Sequence, residues 1–200
     1  VDAVWHALRR NTRTGSRRNI ADHYDLGDDF FALMLDPTMT YSCGLFKDDL
    51  AAADDGPVAA LEQAQRAKWD RLLTLIDPLP GSSLLEIGCG WGGFAIHAAR
   101  KRDCRVTGIT LSEEQLALAT ERAREAGVAD RVRFRLQDYR DVRETFDHIA
   151  SIEMFEAVGE TYWPLFFRQL RACLQPGGRA GLQVITIDDV IPSPDSFADP

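Results

Sequence analysis

Between residues 57 and 187 the apolar positions change their period repeatedly. Trp69, Leu72, Leu73 and Ile76 recur at i, i+3, i+4 and i+7, the spacing of one helix face, and Asp77-Pro78-Leu79-Pro80-Gly81 ends that run. Beyond it, short stretches rich in Leu, Val and Ile predict strands at 83–87, 105–109, 131–136, 147–153 and 179–187. Helical patterns at 92–101, 112–126 and 160–174 separate them. Such alternation predicts β-α-β units on a mainly parallel sheet, with right-handed crossovers placing helices on both faces. The body from about residue 57 onward therefore reads as a doubly wound α/β domain, without internal repeats or low-complexity segments. Residues 51–56 read as a surface loop.

Composition narrows this picture. The 200 residues are 45% hydrophobic and 27% charged, ordinary globular values that allow one domain or a tight pair. A net charge of −8 argues against nucleic acid as a partner, because counterion release needs a basic face. No apolar run is long enough to span a membrane and the first residues lack a signal-peptide core, so the expected location is cytoplasmic. Cys43, Cys89, Cys104 and Cys173 are scattered without C-x-x-C or metal-ligand spacing, and neither a metal site nor a disulfide framework is expected. The absent initiator Met and the abrupt end suggest a fragment.

Charge is uneven along the chain. Residues 1–20 hold five Arg against one acid, whereas residues 21–55 hold nine Asp against one Lys. Val4, Trp5 and Leu8 with Arg9 form either a basic amphipathic turn for an anionic membrane surface or a solvated end.

The chemistry-bearing feature is Gly88-Cys89-Gly90-Trp91-Gly92-Gly93, between the first strand and its helix. Glycines there allow a tight turn and close backbone approach to a ligand, and the helix start offers N–H groups, which points to a nucleotide-like cofactor. The dinucleotide fingerprint also fits, but it expects an acid at the end of the second strand, where Thr110 and Leu111 stand. The acid lies instead before the glycines, at Glu86, which suits the ammonium of S-adenosylmethionine better than NAD. Three further stretches fall at strand carboxyl ends, where an open sheet forms its crevice. Ser112 and Gln115 serve as a helix cap, as cofactor contacts, or as both. Asp138 either caps a turn or, as the favoured reading, holds an adenine amino group, and Tyr139 stacks on adenine or closes the core. Glu153 ends the fourth strand and Glu156 lies in the turn after it, where it is a solvated residue or a functional one.

Leu85-Glu86-Ile87-Gly88-Cys89-Gly90-Trp91-Gly92, Gly108-Ile109-Thr110-Leu111-Ser112 and Met154-Phe155-Glu156-Ala157-Val158-Gly159 resemble the cyclopropane-fatty-acyl-phospholipid and mycolic acid cyclopropane synthases. Asn19 to Phe31 and Thr40-Tyr41-Ser42-Cys43-Gly44 are similar to that family's entry segment. The resemblance implies a Rossmann-like methyltransferase core at 57–189, an N-terminal helical cover at 1–56 and a divergent tail at 190–200. It implies S-adenosylmethionine contacts from Tyr41, Ser42, Glu86, Gly88, Cys89, Gly90, Trp91, Gly92, Thr110, Leu111, Gln115, Tyr139 and Arg140, with Glu153 assigned to the cofactor side. The implied reaction transfers a methyl(ene) group to the cis double bond of an unsaturated phospholipid acyl chain at the membrane surface. A bicarbonate ion is the implied base, held by Cys43 and a buried Glu156; a homodimer is left open.

Two departures stand out. The resemblance expects a His ligand for bicarbonate where Gln183 stands, and Gln can donate but cannot carry a proton, which favours a methyl or methylene branch as product. The aromatic segment and lid with a catalytic Tyr expected after Asp189 are replaced by Val190-Ile191-Pro192. A small-molecule N-methyltransferase and a catalytically silent cofactor-binding unit are the competing readings.

Overall fold

The computed structural model describes residue 15, residues 27–46 and residues 56–186. The basic N-terminal turn, the entry segment before Gly27, most of the 51–56 loop and the tail at 190–200 lie outside the described residues.

Five parallel strands form one sheet in the order β3-β2-β1-β4-β5. They are β1 (Ser83–Ile87), β2 (Arg105–Thr110), β3 (Val132–Leu136), β4 (Phe146–Ile152) and β5 (Leu174–Gln183). The helices are α1 (Asp28–Met34), α2 (Pro57–Ile76), α3 (Gly93–Arg102), α4 (Glu113–Glu125) and α5 (Trp163–Cys173). The chain runs outward from β1 to β3, then returns to place β4 on the other side of β1. Their carboxyl ends thus flank a topological switch point, where open α/β sheets hold ligands.

Two apolar clusters sandwich the sheet. On one face Trp69, Leu72, Leu73 and Ile76 of α2 pack with Phe94, Ala95, Ala98 and Ala99 of α3 against Leu84, Val106 and Ala150. On the other, Phe166, Leu170 and Cys173 of α5 cover Leu85, Ile87, Ile109 and Ile149. Alternate residues of β1 therefore enter opposite cores, as a strand buried on both faces requires. The helical repeat foreseen in α2 is present, and Asp77, at φ 48°, caps it with its N–H on Leu73 O at 2.8 Å.

Several boundaries differ from the sequence reading. The first crossover helix starts at Gly93, because Gly92 is left-handed at φ 81°. A short 3-10 turn, Glu160–Tyr162, occupies the start of the span expected to be helical, a second, Phe155–Ala157, precedes it, and Pro164 sits in the first turn of α5. The last strand begins at Leu174 and stops at Gln183, short of the expected 187. Its end has a physical cause: Gln183 pairs with Ile152, the last residue of β4, and the chain then turns away through Glu153 at φ 46°.

Candidate functional site

A cleft of about 830 Å³ opens at the switch point. Its floor is the turn after β1. Gly88, at φ 79°, lies against Met154, where a Cβ would come within 2.8 Å of the methionine side chain, so both backbone hand and space require glycine. Gly88 and Cys89 both donate to Ile109 O at 3.0 Å, which pins the loop to β2. Gly88, Cys89, Gly90 and Trp91 line the cleft. Gly92 does not; its Cα face packs on Phe134, where a Cβ would meet the ring at 2.6 Å.

Glu86 lines the same cleft and is 3% exposed. Its register neighbours are Gly108 and Ala150, and the place of a side chain at Gly108 is taken by the Phe134 ring. Burial pushes its carboxyl well above the usual carboxylate range, with the Ala95 N–H pulling the other way. Oxygen Oε2 has no hydrogen-bond partner. An acidic oxygen that is buried and unmatched in a cleft is the counterpart of a cationic ligand group.

Thr110, Leu111, Gln115 and Tyr139 form a second wall. Ser112 caps α4 by accepting from Gln115 N at 3.2 Å. The Gln115 side chain does not complete a capping box; its Oε1 accepts from Thr110 Oγ1 at 2.7 Å, and that hydroxyl accepts from Ser112 N at 3.1 Å. Asp138 and Arg140 do not line the cleft. Arg140 donates to Asp138 through Nε at 2.8 Å and Nη2 at 2.5 Å, with both side chains under a tenth exposed. Asp138, read as a turn cap or an adenine contact, and Arg140, an implied cofactor contact, thus form a buried ion pair closing the turn Tyr139–Asp141.

The third wall is the segment Met39 to Cys43, laid over the loop and fastened by polar residues of the core. Trp91 Nε1 donates to Asp28 Oδ1 at 2.6 Å, and Phe31 packs between Tyr41 and Trp91 at ring distances of 5.5 and 5.0 Å. Arg122 of α4 donates to Trp91 O and Thr38 O, each at 2.9 Å. Gln65 donates to Ser42 O at 2.8 Å. Lys68 donates to Ser42 Oγ at 2.6 Å and to Cys43 O at 3.0 Å. Lys68 is 5% exposed, and burial lowers its ammonium to about 8 against the upward pull of Glu153, Cys43 and Asp36. The sequence reading missed Gln65 and Lys68. The signal was present: both continue the buried stripe of Trp69, Leu72 and Leu73, where an exposed-face residue would not.

Three of the foreseen residues converge at the mouth of the cleft. Glu153 Oε1 accepts from Cys43 N at 3.0 Å, from Cys43 Sγ at 2.7 Å and from Gln183 Nε2 at 2.8 Å. The hydrogen bond to Glu153, then burial, raises the Cys43 thiol above its ordinary value. The carboxylate gathered with Cys43 and Gln183 is therefore Glu153, and Glu156 stands apart from it. Glu156 also lines the cleft, but it is exposed and accepts from Ile185 N, which corrects the expectation of a buried Glu156. No group of three or more potential metal ligands occurs among the described residues, and no described helix is long and apolar enough to cross a membrane.

The description "Mycolic acid cyclopropane synthetase" matches residues 11–194. A tuberculostearic acid methyltransferase of Mycobacterium tuberculosis is 47% identical over 177 residues, covering 88% of this chain and 41% of that protein. The cyclopropane-fatty-acyl-phospholipid synthase of Escherichia coli is 43% identical over 157 residues, covering 78% of this chain and 38% of its own length. Among solved structures, the mycolic acid cyclopropane synthase CmaA1 complexed with SAH and CTAB superposes with a TM-score of 0.71 at 36% identity. That superposition covers 80% of this chain and 53% of the other. The chain thus spans about two fifths of the length of these two curated relatives.

Proposed function

The chain belongs to the mycolic acid cyclopropane synthetase family, and from that premise we propose that it takes part in S-adenosylmethionine-dependent methyl(ene) transfer to the cis double bond of an unsaturated phospholipid acyl chain. The observation that carries the reading is Glu86, buried and with an unpartnered oxygen, in a cleft whose glycine loop bends through positive φ at the switch point of the sheet. S-adenosylmethionine supplies, when bound, an electrophilic methyl group to the alkene, with sulfur keeping the electron pair of the broken S–CH3 bond. On this reading Glu86 receives the amino-acid ammonium, Gly88 to Gly90 let the backbone approach, and Tyr139 and Leu111 bracket the base. Tyr41 and Ser42 close the cleft from above, fastened by Lys68 and Gln65.

The acyl chain requires a dry, oily surface, since an alkene is a weak nucleophile that must be aligned with the methyl group in a site without competing water. Leu35, Met39, Leu61, Ile152, Met154 and Ile185 line the cleft and support that role. Membrane contact and pairing of two copies belong to the same proposal. Bicarbonate fits less well. The donors that would hold it, Cys43 N–H, Cys43 Sγ–H and the Gln183 amide, already converge on Glu153 Oε1, and no step is derived through that ion.

Incubation with methyl-labelled S-adenosylmethionine and vesicles of unsaturated phospholipid tests the reading. Label recovered in acyl chains that have gained one carbon supports it. Tight cofactor binding without label in any lipid overturns it in favour of a silent binding unit. A second expectation concerns protons. Burial keeps Glu86 protonated well above its unfolded pKa in the empty protein, a cost to the charged form that is relieved as pH falls. A bound ammonium reverses the preference and expels the proton. Calorimetric titration with S-adenosylhomocysteine near neutral pH should therefore give an enthalpy that depends on the buffer's ionisation heat. Glu86→Gln should abolish that dependence and weaken binding about 10- to 100-fold, the worth of one charge-assisted hydrogen bond.

A further inference from the structure

We infer that the carboxylate of Glu153 is the resident proton acceptor of this site, a chain-borne base standing where the resemblance would set a bicarbonate ion. The inference rests on the lipid methyl-transfer reading and deepens it. Carboxylate and bicarbonate present the same planar pair of acceptor oxygens, so a donor set built for one accepts the other. Here the set is filled from within. Cys43 N–H and Sγ–H and the Gln183 amide all reach Glu153 Oε1 at 2.7–3.0 Å. A His at 183 would compete to bind the proton; the amide of Gln183 can only orient the carboxylate.

Other features hold Glu153 in place. Its backbone adopts φ 46°, left-handed for a non-glycine residue, and its N–H donates to Gln183 O at 2.9 Å. Such strain persists where surrounding structure determines it, commonly at functional sites. The Lys68 ammonium, held on Ser42 Oγ and Cys43 O, is close enough to Glu153 for the two charges to attract. Glu153 lines the cleft between Ile152 and Met154, on the apolar wall assigned to the acyl chain.

The step balances within the substrate and this residue. After methyl transfer the acyl chain carries a carbocation. A C–H bond of the new methyl group breaks, and its electron pair forms either the third bond of a cyclopropane ring or an exocyclic double bond. The proton passes to the Glu153 carboxylate, which returns it to solvent at the mouth of the cleft. No further oxidant or reductant is needed.

Two kinds of measurement test this, only one of which requires turnover. Titration of the chain with 13C-bicarbonate, followed by NMR, should show no saturable binding to the unaltered protein and saturable binding to Glu153→Ala, where the donors are exposed. In parallel, Glu153→Gln should speed alkylation of Cys43 near pH 8, because the carboxylate that raises its thiol is gone; the other three cysteines are buried. In the labelled-methyl assay, transfer by the unaltered chain should be indifferent to bicarbonate depletion. Glu153→Gln should lower it at least about 100-fold, in the range of a lost general base, with S-adenosylhomocysteine affinity retained, and Glu153→Ala should recover on adding bicarbonate or formate. Saturable bicarbonate binding to the unaltered chain, unchanged Cys43 alkylation, or activity that survives Glu153→Gln would each overturn the inference. Absence of transfer by the unaltered chain would count against the methyl-transfer reading alone, since the NMR and alkylation results still decide whether Glu153 fills the anion site.

Discussion

Replacing Arg140 by Met is expected to destabilise the folded chain by about 3–5 kcal/mol, because it strands the buried carboxylate of Asp138. Both side chains are under a tenth exposed and meet through two parallel hydrogen bonds, so neither charge can recover its hydration when the other is removed. The double variant Asp138→Asn/Arg140→Met should regain most of that loss. Asparagine retains the oxygen that caps Arg140 N, while the uncompensated charge disappears. Urea unfolding reads the effect as a lowered midpoint with an unchanged slope. Binding of S-adenosylhomocysteine by the folded fraction should stay within about threefold, corresponding to less than a kcal/mol. A variant that kept its stability and lost cofactor affinity would return Asp138 to the adenine contact expected from sequence.

Phe166→Ala should cost a comparable amount, about 3–5 kcal/mol, through the cavity it leaves. Phe166 is fully buried, and its ring lies 5.3 Å from Tyr139, 5.2 Å from Phe155 and 5.6 Å from Phe167. It is the hinge between the second core and the cleft, because Tyr139 is both its neighbour and a cleft wall. Loss of the ring therefore reaches the cofactor side. The folded fraction of Phe166→Ala should bind S-adenosylhomocysteine more weakly, whereas Phe166→Leu, which refills most of the volume, should restore affinity together with stability. Parallel unfolding and binding titrations separate this from a purely local cavity, in which stability alone would change.

Much of the fold was legible because its signals are local. Leu84, Leu85 and Ile87, and later Val106 and Ile109, are buried on both faces and so form short continuous apolar runs, and the α2 stripe repeats with the helical period. The limits of β5 were not legible. Leu174 to Gly178 carries Pro and two Gly and reads as a turn, yet Leu174 pairs with Phe146 across an irregularity in the ladder. Its end depends on where β4 stops, a property of another strand.

The site divides in the same way. Glu86, Gly88 to Trp91, Thr110, Gln115 and Tyr139 announce themselves by position near the carboxyl ends of strands, and all line the cleft. Asp138 offered two roles in sequence, a turn cap and an adenine contact; the cap is present, and the ion pair with Arg140 was not foreseen because it depends on the tight turn Tyr139–Asp141. Glu153 and Glu156, three apart, look interchangeable in a string of letters. What separates them is the left-handed backbone at Glu153, which aims its side chain at Cys43 while Glu156 reaches the Ile185 N–H. Only tertiary context forces a glutamate into that conformation.

The meeting of Cys43 with Gln183 joins positions 140 apart in the chain. Synthesis proceeds from the N-terminus at roughly 5–20 residues per second, so Cys43 is added to the chain about 7–28 seconds before Gln183. Throughout that interval its thiol lacks the docked Glu153 carboxylate, which raises it above its ordinary value in the finished fold. The cysteine is therefore most exposed to oxidants while the protein is being made, and arrival of the last strand of the sheet ends that window.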